Sequence, residues 1–60
     1  MKEKLVFFIG NEEFDYTIEQ VGERFVGKTT FDVRLNCEAK SAEEVKMIVE
    51  NRILQLRSGN

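Results

Sequence analysis

Cys37 is the only thiol in this chain, and there is no histidine. A nucleophile therefore has no imidazole base, which removes Ser-His and Cys-His chemistry. One thiol without histidine cannot assemble a structural zinc site either. The carboxylate pairs Glu12-Glu13 and Glu43-Glu44 have plainer roles, in a polar turn and at the start of a helix. The segment Gly22-Glu23-Arg24-Phe25-Val26-Gly27-Lys28-Thr29 fits the spacing G-x-x-x-x-G-K-[ST]. That motif needs a helix starting at the lysine, with its amides turned to phosphate. Thr29 to Cys37 reads as a strand instead, so a nucleotide site is rejected. Cys37 alternates in phase with Phe31, Val33 and Leu35 and reads as a small buried apolar residue. The chain is expected to be no enzyme and to take no cofactor and no metal.

Sixty residues, with nine basic and eleven acidic side chains and a net charge of −2, make one domain over 1–60. A nucleic-acid binder would normally show a basic stripe and a high pI, so direct nucleic-acid binding is disfavoured. No apolar run approaches the roughly 18 residues of a membrane span. Leu5-Val6-Phe7-Phe8-Ile9 is too short for a secretory segment. With one free cysteine, a reducing compartment is expected, the cytoplasm. A domain this small buries only about 60% of its unfolded surface. Disulfides and metals being excluded, oligomerisation is the remaining stabiliser, and a homodimer is expected.

Three strands and a helix follow from periodicity. Lys4 to Ile9 is β-branched and aromatic, and Gly10-Asn11 closes it with a turn. Phe14 to Val21 alternates, with Phe14, Tyr16 and Ile18 inward and Asp15, Thr17 and Glu19 outward. Gly22 and Gly27 bracket a turn or bulge over Glu23 to Val26. Thr29 to Cys37 alternates again, with Phe31, Val33, Leu35 and Cys37 inward and Thr30, Asp32, Arg34 and Asn36 outward. Alternation of this kind marks one covered and one wet face. Ser41 and Glu44 form a capping box, and Gly59 should lie just past the last helical turn. Ala42, Val45, Val49, Ile53 and Leu56 fall on one stripe, with Ile48 beside it. The expected class is α+β: a three-stranded antiparallel sheet followed by one C-terminal α-helix packed on it.

Several residues do not fit this single core. Val6 and Phe8 fall on the wet face of the first strand, and Met47 and Leu54 on the far side of the helix. Shielding by long neighbours explains the first pair equally well, and single exposed apolar residues need no explanation. The other reading is contact with a second subunit or a partner. With Asp15, Glu19 and Asp32 these residues are the candidate partner-binding set. Outward carboxylates on a small rigid sheet can occupy phosphate positions on a DNA enzyme. Two other classes stay open: a DNA-binding three-stranded-sheet domain, with Lys4, Arg24, Lys28 and Arg34 as its cations, and an assembly protein of a phage or mobile element.

Phe31-Asp32-Val33 on a strand, followed by Ser41-Ala42-Glu43-Glu44-Val45 opening a helix, resembles the small phage inhibitors of uracil-DNA glycosylase from phages with protein-primed replication. The order strand, strand, strand, capped helix is shared over most of the chain. The resemblance implies a homodimer that mimics DNA and works in the host cytoplasm. It also implies a pocket at the dimer interface that sequesters the enzyme's DNA-intercalating side chain.

Overall fold

The computed structural model describes residues 2–58; Gly59, expected past the helix, lies outside the described residues. β1 (Lys2–Ile9) and β2 (Glu12–Val21) form a hairpin, and β3 (Arg24–Thr29) follows. A 3-10 turn (Val33–Leu35), a short β4 (Cys37–Ala39) and α1 (Ala42–Arg57) complete the chain. The sheet has four strands in the order β1-β2-β3-β4, antiparallel throughout. The α+β class and the C-terminal helix are as expected; the strand count is four rather than three.

Both hairpins turn on two residues, Gly10-Asn11 and Gly22-Glu23, with Gly10 at φ 61° and Gly22 at φ 65°. Only glycine takes that conformation without strain, and the primed turns it permits match strand twist. Of the two bracketing glycines, only Gly22 belongs to the second turn. Glu23 to Val26, expected as a loop up to Gly27, instead begins β3 at Arg24. Gly27 serves packing. A Cβ there would stand 2.5 Å from Val45 Cγ1 and 3.0 Å from Val49 Cγ2.

The expected strand from Thr29 to Cys37 is overturned. Thr29 Oγ1 donates to the Asp32 carbonyl at 2.5 Å, and the Thr29 amide donates to Asn36 Oδ1 at 3.0 Å. Asp32 caps the 3-10 turn, its Oδ1 accepting from the Arg34 amide at 3.0 Å. Such side-chain bonds give the backbone an alternative to a ladder. Of the residues expected inward, Leu35 is buried and Cys37 half-buried on β4, while Val33 is 76% exposed. Phe31 is 43% exposed and packs on Phe14 with the rings tilted by 57° and their centres 5.5 Å apart. It is thus not a core residue but an exposed partner of Phe14.

α1 starts at Ser41, whose Oγ accepts from the Glu44 amide at 3.1 Å. Glu44 returns its carboxylate to the Lys40 amide at 3.4 Å, one residue before the cap, a variant of the expected box. Val45, Val49 and Ile53 are fully buried and Ala42 and Ile48 half-buried, while Leu56, expected on the same stripe, is exposed in an open groove beside Leu35. The helix makes its main contacts with β2, β3 and β4. Each fully buried aliphatic contributes roughly 1.5–3 kcal/mol. Tyr16 Oη donates to Glu50 Oε2 at 2.9 Å, tying β2 to the helix. No helix among the described residues is long and apolar enough to cross a membrane.

Candidate functional site

The strand register decides which side chains share a face. Residues directly opposite in an antiparallel pair point the same way. Leu5, Phe7 and Ile9 therefore lie on the helix side with Phe14, Tyr16, Ile18, Gly27 and Thr29. The other face carries Val6 opposite Asp15, Phe8 opposite Glu13, and Lys4 in a row with Thr17 and Lys28. A further row runs Lys2, Glu19, Val26, Glu38. No element among the described residues covers this second face.

Of the candidate set, Val6, Phe8 and Asp15 come together on this open face, and Glu19 shares it toward the other end of the hairpin, opposite Lys2. Phe8 is 63% exposed and Val6 is exposed beside it. Asp15 is half-buried, and its Oδ1 is enclosed with no hydrogen-bond partner among the described residues. An unsatisfied buried acceptor costs about 1–3 kcal/mol.

The other three candidates lie elsewhere. Asp32 is off the sheet, chelated by Arg34 through Nε at 3.0 Å and Nη2 at 2.8 Å. The hydrogen bonds from Arg34 hold its carboxyl below the ordinary carboxylate range. This ion pair blunts Asp32 as a charge for a partner. Met47 and Leu54 are exposed on the outer side of α1, the opposite side of the molecule from Val6 and Phe8. Met47 lines an open groove at the start of the helix with Glu43, Lys46 and Glu50.

Charge on the open face is mixed. Lys2, Lys4, Arg24 and Lys28 alternate with Glu13, Asp15, Glu19 and Glu38, and Arg24 Nε meets Glu38 Oε2 at 2.9 Å. The nucleotide motif is not formed, since Gly27, Lys28 and Thr29 lie within β3. Burial pushes the Cys37 thiol up, away from thiolate character. Among the described residues no group of three or more Cys, Asp and Glu side chains is placed to hold a metal.

Sequence patterning missed Glu13 as part of this surface, because it was absorbed into a turn. The two-residue Gly10-Asn11 turn was the signal, since it places Glu12 and Glu13 on β2. The orphaned oxygen of Asp15 has no sequence signal, because it depends on which neighbours fold over the carboxylate. The chain matches no protein-family model, no curated protein and no solved structure.

Proposed function

We propose that the chain is a homodimeric protein-binding inhibitor whose working surface is the open face of the sheet, and that its target is a DNA-binding enzyme. The observation that carries this reading is the exposed pair Val6 and Phe8 on an uncovered sheet face, bordered by the carboxylates Glu13 and Asp15. An apolar anchor on the partner would cover the two side chains, and its N–H or guanidinium groups would pair with the bordering carboxylates, Glu13 above all. Glu13 and Glu19 add carboxylates at positions a phosphate backbone could otherwise fill on the target. Uracil-DNA glycosylase is the specific target that the resemblance implies.

The row Lys4-Thr17-Lys28 favours direct DNA binding instead. It is flanked by Asp15 on one side and Glu19 on the other, so no basic stripe develops across the sheet. The inhibitor reading therefore stands ahead.

The test is uracil excision from DNA by a bacterial glycosylase with this protein in molar excess. Loss of excision, with co-elution of the two proteins, is expected. Glu13→Ala, at an exposed charge, should slow association, and Phe8→Ala should mainly speed dissociation. Undiminished excision without a complex would remove the glycosylase as target.

A further inference from the structure

We propose that a second copy of this chain pairs antiparallel along the open edge of β1, with Phe7 opposite the partner's Phe7, extending the sheet to twice its four strands. This rests on the homodimer reading above and names the surface that makes it.

The two edges of the sheet differ. β4 is three residues long, the short edge that folded proteins tolerate well. β1 is eight residues long and presents a row of unpaired backbone groups to solvent. The usual protections of a long edge are proline, a bulge or an inward charge. From Leu5 to Ile9 there is none of these. The helix packs chiefly on β2, β3 and β4, so β1 lies to its side. Leu5, Phe7 and Ile9 stay only half-buried on the helix face, while Val6 and Phe8 are exposed on the other. A strand apolar on both faces belongs in the middle of a sheet, and β1 stands at its margin.

The occupant follows from self-complementarity. A two-fold axis normal to the sheet keeps both helices on one side and sets β1 against itself. Centred on Phe7, Leu5 meets the partner's Ile9 and Val6 meets the partner's Phe8, so every pair is apolar. Centred on Val6, Lys4 faces the partner's Phe8 and Glu3 the partner's Ile9. Centred on Leu5, Lys2 and Glu3 both face the partner's phenylalanines. Only the Phe7 centre keeps the charged end of the strand outside the pairing and all five apolar residues within it.

That register builds a composite surface. On the helix side one row reads Phe14, Phe7, the partner's Phe7 and the partner's Phe14, with Phe31 against Phe14 at each end. On the open face Val6 and Phe8 of both copies form one apolar patch, bordered by Asp15 and Glu13 of each. The patch is thereby completed only in the dimer.

The register is tested by crosslinking in the full chain with Cys37→Ser. Val6→Cys and Phe8→Cys both sit at exposed positions, so the fold should survive, as circular dichroism will check. Opposed Cβ atoms lie about 4.5–5.5 Å apart and diagonal ones about 7–8 Å, and a disulfide needs close approach. Mixing V6C with F8C under oxidation should give the mixed disulfide, at twice the 7.0 kDa chain mass, in excess over either self-disulfide. Wild-type protein sedimenting only at 7.0 kDa would overturn the homodimer reading and this pairing with it. A wild-type dimer whose variants give only self-disulfides, or none, would overturn the β1 pairing alone.

Discussion

Gly27 and Tyr16 show how single residues set the distance and angle between helix and sheet. With no Cβ, Gly27 lets Val45 and Val49 descend onto β3. Gly27→Ala should overpack this contact and cost about 1–3 kcal/mol, read as a lower urea midpoint. Val45→Ala in the same chain should recover part of that loss; an unchanged midpoint in the single variant would show that the helix sits higher. Tyr16, 1% exposed, is held neutral by burial first, then by its hydrogen bond to Glu50 and the carboxylates of Glu50 and Glu3. These raise its pKa well above the ordinary 10.0. A raised folded pKa contributes stability in full below the unfolded value, and that contribution is lost as pH climbs through the folded one. Wild type should therefore weaken above about pH 10 more steeply than Tyr16→Phe. Near neutral pH the variant should be less stable by about 1 kcal/mol, since Glu50 loses its donor. Parallel alkaline profiles for the two proteins would contradict this.

At the scale of elements, local signals carried the helix and the first hairpin. Ser41 caps α1 as its position after Lys40 and before an apolar periodicity foretold. Ser41→Ala should cost about 1 kcal/mol in denaturation, and an unchanged midpoint would mean that the cap is dispensable. The stripe Val45, Val49, Ile53 and the inward Tyr16 and Ile18 were legible because burial imposes a strict period on helix and strand. The third strand was not legible. Phe31, Val33, Leu35 and Cys37 keep perfect alternation, yet Asp32 and Asn36 divert the backbone into a capped turn. Asp and Asn are poor strand residues and good turn formers, and that was the available signal. Gly27 misled in the other direction, since a glycine demanded by helix packing resembles one demanded by a turn. Of the candidate site, Val6, Phe8, Asp15 and Glu19 were legible as outward residues of real strands. Asp32 failed with the strand it was assigned to, and Met47 and Leu54 belong to a helix on the far side of the sheet.

For the whole molecule, the asymmetry of the sheet is the main fact. The helix is placed over three strands, leaving β1 apolar on both faces from Leu5 to Ile9 and unpaired at its edge. A second copy at β1 and a protein partner on the open face account for these features together. The most direct measurement is amide hydrogen exchange across β1, compared at micromolar and millimolar protein. Pairing predicts that β1 amides facing away from β2 slow markedly as concentration rises, while those of β4, the opposite edge, keep their rates. Outward β1 amides exchanging at the same fast rate at both concentrations would contradict the account.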